Sequence, residues 1–191
     1  MMTEDGRVVT LRTLEQSDAE TVLEYLAEEA VSSPHAVTQP DEVETDPEKE
    51  REWIRSRAEA AGELALGAFD EHGTCIGTLT FTTYRQRRVR HRGQFGIGVR
   101  KAWRSQGIGR AMIESMLDWA RDHEYIEVVS LGVFHTNKRA IELYRSLGFQ
   151  EEARRREFFR TDHPGGEVEY ADDVLMTLRV KPRATTTHSN R

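Results

Sequence analysis

The chain has 191 residues, enough for one domain with a sizeable core, and its 37% hydrophobic and 31% charged residues are an ordinary water-exposed balance. No apolar run approaches the roughly 20 residues of a membrane span, and the first ten residues carry two acids and one arginine rather than a basic-then-apolar signal. One cysteine, Cys75, excludes an internal disulfide framework and a cysteine-based zinc cluster. These features set the expectation of a cytoplasmic protein with no membrane partner. The net charge of −6 is uneven: residues 1–63 hold 17 acidic and 6 basic side chains, residues 64–191 hold 16 and 21. That balance speaks against a general nucleic-acid binder but leaves the second part suited to an anionic ligand.

In chain order, a short strand is expected at Val8–Leu11. Ser17 and Glu20 match a capping box ahead of a helix with Val22, Leu23 and Leu26 on its apolar face, running to about Glu29. Val31–Thr45, with two prolines and many acids, reads as a loop. Asp46 and Pro47 then open a mostly polar helix to about Ala61, with Trp53 and Ile54 facing its partner. Strands are predicted at Leu64–Phe69, Cys75–Thr83 and Gly93–Val99, the first two joined through Asp70–Gly73. A helix over Gly109–Asp122 carries the stripe Met112, Ile113, Met116, Leu117 and Trp119. Strand Ile126–Val133, helix Asn137–Leu147 ending at Gly148, and a hairpin of Phe149–Phe159 and Glu169–Leu178 complete the pattern. The hairpin turn contains Asp162, Pro164, Gly165 and Gly166, and Lys181–Arg191 reads as a disordered tail. The order βααβββαβαββ describes a mixed α/β fold: about seven strands, mostly antiparallel, and about four helices in a single domain over residues 1–180. There are no internal repeats.

The segment from Gln94 to Ala111 holds the richest chemistry. A strand leads into a glycine-bearing turn and then a helix, whose first N–H groups lack intrahelical partners and carry the positive end of the macrodipole. Gly107 and Gly109 let a ligand approach this backbone closely, and Arg104 and Arg110 flank it with guanidinium groups suited to phosphate. The pattern GxxxxGK[ST] is absent, and neither Gly96-x-Gly98 nor Gly107-x-Gly109 extends to GxGxxG. What remains, Arg104-Ser-Gln-Gly107-Ile-Gly109, has the form [RQ]-x-x-G-x-[GA]. Downstream, Asn137-Lys-Arg-Ala140-Ile-Glu-Leu143-Tyr144-Arg-Ser-Leu-Gly148-Phe149 fits N-x-x-A-x-x-L-Y-x-x-x-G-F.

These two motifs, in this order and separated by a strand, resemble those of the GNAT superfamily of acetyl-coenzyme A-dependent N-acetyltransferases, and the element order from Arg7 to Val180 agrees. The resemblance implies that Arg104 and the amides from Gln106 through Gly107, Ile108, Gly109 and Arg110 to Ala111 hold the cofactor pyrophosphate. It implies that the strands Gly93–Val99 and Ile126–Val133 splay apart, with backbone groups of Ile97 and Val99 holding the pantetheine arm. Gly98 is then expected at a bulge, with the Val99 amide placed to stabilise an oxyanion. Asn137 would cap its helix and contact the cofactor beyond it. Tyr144 matches the position of the proton donor to the departing thiolate; a phenol with pKa near ~10 is protonated at neutral pH. A core aromatic on an amphipathic helix is the structural alternative for this residue.

The base is open. Many relatives carry a glutamate where this chain has Gln94, which cannot accept a proton; Glu127, His135 or a water wire are the substitutes considered. The acceptor, a small-molecule or peptide amine, is expected between the first two helices, the loop Val31–Thr45 and the final hairpin, where Asp41, Glu42 and Glu44 could attract a cation. Two rivals stand beside the enzyme: a catalytically weak acyl-coenzyme A-binding or sensing module, and an RNA binder using the basic run Arg85–Arg92 with Tyr84. Arg154, Arg155 and Arg156 alternate faces of a strand and form no single patch. No metal is expected, since the histidines lack HExxH or comparable spacing. A homodimer through the final hairpin is an open expectation.

Overall fold

The computed structural model describes residues 1–163 and 165–183. Pro164 of the expected turn and residues 184–191 of the expected tail lie outside the described residues. Among the described residues seven strands, β1 (Thr10–Thr13), β2 (Leu64–Phe69), β3 (Cys75–Thr83), β4 (Arg92–Val99), β5 (Val128–Phe134), β6 (Gln150–Asp162) and β7 (Val168–Arg179), form one sheet in the order β1-β2-β3-β4-β5-β7-β6. Four α-helices among the same residues, α1 (Ala19–Ser32), α2 (Pro47–Glu59), α3 (Ile108–Asp122) and α4 (Lys138–Ser146), cover its faces. The expected mixed, mostly antiparallel architecture is present, with β4 and β5 as the parallel pair.

Side-chain alternation along β2 decides the layering. Leu64, Leu66 and Ala68 join the larger core beneath α3 and α4, while Ala65 and Phe69 join a smaller one beneath α1 and α2. From α3, Ile108, Met112, Ile113, Met116 and Leu117 are all buried, each contributing roughly 1.5–3 kcal/mol. The Asp46 carboxylate accepts from the Glu48 amide at 2.9 Å, so α2 starts at Pro47 as the sequence implies.

Two local expectations are corrected. Val8 and Val9 pair with Met1 and Met2 in a small N-terminal turn, so β1 begins two residues later than predicted, at Thr10. The start of α1 is organised by Asp18 rather than by Ser17 and Glu20. A single 3-10 turn over Gln16–Asp18 precedes the helix, and the buried Asp18 carboxylate accepts from the Glu15 amide at 2.8 Å and from both Arg12 terminal nitrogens.

The feature that positions the site is a fork in the sheet. β4 and β5 pair only over Arg92–Gln94 with Val128–Ser130 and then separate. Ser130 Oγ donates to the Gly93 carbonyl at 2.9 Å where the fork opens. β4 stays paired to β3 without interruption from Thr83↔Gly93 to Gly77↔Val99. The Arg100 amide donates to Ile76 O, so by the two-residue alternation the backbone groups of Ile97 and Val99 point away from β3, into the gap.

Candidate active site

Two clefts open on this gap. One, about 490 Å³, is lined by Ile97, Gly98 and Val99 of β4, the turn and start of α3 (Arg104, Ser105, Gly107, Ile108, Gly109, Arg110), and Asn137, Arg139, Ala140, Leu143 and Tyr144 around α4. The other, about 590 Å³, lies between α1, α2, the loop before α2 and the ends of β4, β5 and β6. Glu29, His35, Ile97, Gly98, Asn137 and Tyr144 line both, which marks where the clefts meet.

The start of α3 is built as a set of unpaired donors. Gly107 has φ +78°, a left-handed conformation that glycine adopts without strain, and it turns the chain into the helix. The first helical bond runs from the Ala111 amide to Gly107 O at 3.0 Å. The amides of Ile108, Gly109 and Arg110 therefore have no intrahelical acceptor, and all three residues line the first cleft. Ala111 is a correction: its amide is engaged in the helix and it does not line the cleft. Gln106 also lies outside the lining, with its side-chain Oε1 buried and unpartnered among the described residues.

Arg104 is held away from the tip of the turn. Its Nε donates to Val99 O at 2.8 Å, and one terminal nitrogen donates to both carboxylate oxygens of Glu29 at 2.9 and 3.0 Å. It lines the cleft as a clamp between α1 and the end of β4. Arg110 reaches Ser146 Oγ at 2.7 Å and Glu114 at 3.6 Å, and Arg139 adds a third guanidinium.

Gly98 is not at a bulge, because the β3–β4 register is continuous there. Its reason is steric: a Cβ on Gly98 would stand 2.3 Å from the hydroxyl of Tyr25, a side chain buried in α1. Burial, with the Glu29 charge nearby, holds the Tyr25 phenol in its protonated form far above the usual tyrosine range.

Tyr144 sits on the buried face of α4, edge-on to Phe95 and Phe149 with centroids 6.0 Å away in each case, and lines both clefts. Burial pushes its phenol up to about 12, so it keeps its proton throughout the neutral range. Asn137 caps α4, its Oδ1 accepting from the Ala140 amide at 3.2 Å, and faces both clefts.

Neither side chain considered as a base reaches the site, nor does Gln94 at the position of the relatives' glutamate. Gln94 is exposed, and Glu127 is paired with Arg179 at 2.8 Å. His135 accepts the Asp172 amide on Nδ1 at 3.0 Å; none of the three lines either cleft. Of the loop acids named from the sequence, Glu42 and Glu44 line the second cleft and Asp41 does not; the structure adds two carboxylates that sequence reading missed, Glu29 of α1 and Glu50 of α2. A signal for both existed. Glu29 lies three and four residues after Leu26 and Tyr25, and Glu50 three and four before Trp53 and Ile54, so each shares the inward face of its helix. Burial and the charge of Glu44 push the Glu50 carboxyl above its ordinary value. His35 is pushed down by burial and by Arg104, which keeps it neutral at pH 7.

The basic run is a loop tip between β3 and β4. Arg90 stacks over Tyr125 with its guanidinium carbon 4.7 Å from the ring centroid, and Arg92 pairs with Glu152 at 2.8 Å. On β6, Arg154 and Arg155 face Asp172 and Asp173 respectively.

The model of the acetyltransferase (GNAT) family matches residues 22–149, about two thirds of the chain. The chain belongs to the GNAT family. Among curated proteins, this GNAT chain is 29% identical over 100 residues to the L-amino acid N-acetyltransferase AaaT of Escherichia coli K12, covering 52% of the chain and 61% of that protein. It is 37% identical over 86 residues to the [ribosomal protein bS18]-alanine N-acetyltransferase of the same strain, covering 45% of the chain and 54% of that protein. The chain thus spans little more than half the length of these relatives. The structure of yncA from Salmonella typhimurium with its cofactor acetyl-CoA shares the fold, with a TM-score of 0.77 at 21% identity over 95% of this chain and 99% of that one. Among the described residues no helix of this GNAT chain is long and apolar enough to cross a membrane.

Proposed function

We propose that the chain is an N-acetyltransferase that takes the acetyl group of acetyl-CoA to a primary amine within a ternary complex and releases coenzyme A. The observation that carries this reading is the meeting of two clefts at Ile97, Gly98 and Tyr144, one ending in free helix amides and the other in carboxylates. The acetyl-CoA in the yncA structure and the amine-acetylating names of the curated relatives support it.

The cofactor fits the first cleft by its chemistry. The amides of Ile108, Gly109 and Arg110, with Gly107 leaving room, suit a pyrophosphate, and Arg110 and Arg139 add charge. The backbone groups of Ile97 and the amide of Val99, turned away from β3, suit an amide-bearing arm. Bound there, acetyl-CoA supplies an acetyl group activated as a thioester. Tyr144 holds a proton at the junction for a departing thiolate, and the Val99 amide points into the gap as a donor for developing negative charge on the acyl oxygen.

The acceptor amine enters from the second cleft as an ammonium and must lose a proton before its nitrogen can attack. Glu29 is the carboxylate that lines both clefts; 3.7 Å separates it from the position of a Cβ on Gly98. We assign it reception of that proton, directly or through one water. Thiol release from acetyl-CoA across an amine panel tests the proposal. Amine-dependent release is the expected result; cofactor binding with no release on any amine would leave only the sensing module.

A further inference from the structure

The two clefts carry opposite charge. Arg104, Arg110 and Arg139 line the first, whereas Glu29, Glu42, Glu44 and Glu50 line the second, with no lysine or arginine among the described residues that line it.

Three of these four carboxylates are already partnered. Glu29 is paired with Arg104 at 2.9 Å, and Glu42 accepts the Gln39 amide at 2.9 Å. Glu44 accepts the Thr45 and Asp46 amides at 2.9 and 3.0 Å and pairs with Lys49 at 3.2 Å. Glu50 differs. The residue is 7% exposed and lines the cleft beside Trp53; among the described residues its carboxylate meets no hydrogen-bond donor or cation, and its oxygens are open to the cleft. A carboxylate on a largely buried residue keeps only part of its hydration, so a cation or donor arriving from the cleft is favoured there. The aromatic walls of the same cleft, Trp53, Phe134 and Phe159, suit a cation as well as an alkyl chain.

We propose that the acceptor is an amine bearing a second positive charge and no free carboxylate beside the reacting nitrogen, and that Glu50 receives that second charge. The proposal rests on the acetyl-transfer reading of the same clefts and narrows it. A free α-amino acid would bring its carboxylate into a cleft lined by four others and by no lysine or arginine, the Arg104 guanidinium of the first cleft being already paired with Glu29. This chain is thereby separated in acceptor from a relative named for L-amino acids.

The test compares kcat/KM for cadaverine with pentylamine, for lysine amide with lysine, and for an Ala-Lys amide with an Ala-Ala amide, in wild type and Glu50→Gln. In wild type the dication of the cadaverine pair or of the dipeptide pair is favoured by about tenfold or more, the discrimination supplied by one charge-assisted hydrogen bond, and lysine amide is preferred to lysine. Preference within the cadaverine pair identifies a small diamine, and preference within the dipeptide pair a basic peptide end; either supports the charge rule. In Glu50→Gln that ratio falls towards one through a higher KM for the dication. Removing an unpaired buried charge leaves its melting temperature at or above that of wild type. Equal rates within every pair, lysine preferred to its amide, or an unchanged ratio in Glu50→Gln would overturn the proposal while leaving acetyl transfer standing. No thiol release on any amine would instead remove the transfer reading itself.

Discussion

The hydroxyl of Tyr25 on α1 occupies the space that a Cβ on Gly98 of β4 would fill, 2.3 Å from it. A buried tyrosine on a helix thus dictates a glycine on the strand that borders both clefts. Gly98→Ala should destabilise the protein by about 1–3 kcal/mol, the usual range for overpacking. Tyr25→Phe should relieve much of that in the double variant, since the ring carbon is 3.6 Å from the same position. Chemical denaturation of the four proteins of the cycle measures the coupling; strictly additive effects would contradict the steric account.

Tyr144→Phe should lower kcat by about a hundredfold, the lower end of general acid catalysis, with little change in KM for acetyl-CoA. Because burial raises the phenol to about 12, the proton donor persists across the neutral and mildly alkaline range, and no loss of the acid form should appear there. The sign for stability follows the same shift. The raised folded value keeps the contribution whole below the unfolded pKa near ~10 and removes it as pH rises towards the folded one. A kcat equal to wild type in Tyr144→Phe would assign the residue to the core alone.

Glu29→Gln separates proton transfer from architecture. As the acceptor ammonium, with pKa near ~10, deprotonates in solution, an enzyme lacking its proton acceptor needs it less. The variant should be slow at neutral pH and approach wild type as pH rises. A deficit of constant size at every pH would mean that Glu29 serves only to hold Arg104.

Periodicity made most of the fold legible: β2, β3 and α2 begin where alternation or capping places them, and the two motifs located the turn into α3 and the helix of Tyr144. What stayed hidden depends on partners distant in sequence. Gly98 looked like a bulge because nothing in β4 announces a tyrosine hydroxyl arriving from residue 25. Arg104 looked free for phosphate because its partner Glu29 lies on α1 and its other acceptor is a main-chain oxygen. Glu50 was read into a polar helix, although its spacing to Trp53 and Ile54 puts it on the inner face.

Asp18 ties β1 to the start of α1, and its pKa behaviour gives an acid-side test. Burial opposes its charge, but hydrogen bonds from Arg12 and the Glu15 amide outweigh that, and its carboxyl lies below the ordinary value. A lowered folded pKa contributes stability that is present above the unfolded value near ~3.9 and lost as pH falls through the folded one. Asp18→Asn should therefore cost about 1.5–3 kcal/mol at pH 7, the range for hydrogen bonds to a charged group, and the gap to wild type should close towards pH 2. An equal gap at both pH values would deny the charge its role.

A thermal-shift titration with acetyl-CoA probes cofactor binding in the first cleft most directly. Near 100 times the dissociation constant, binding adds about 2.7 kcal/mol, which for a chain of this size raises the melting temperature by roughly 5–10 °C. The control is Gly109→Trp: a Cβ there would face Leu143 and Ile97 at 3.9 and 4.0 Å, so an indole fills the cleft between them. The rise is expected in wild type, with little or none in a folded Gly109→Trp. A folded wild type that does not respond to acetyl-CoA would contradict cofactor binding in this cleft.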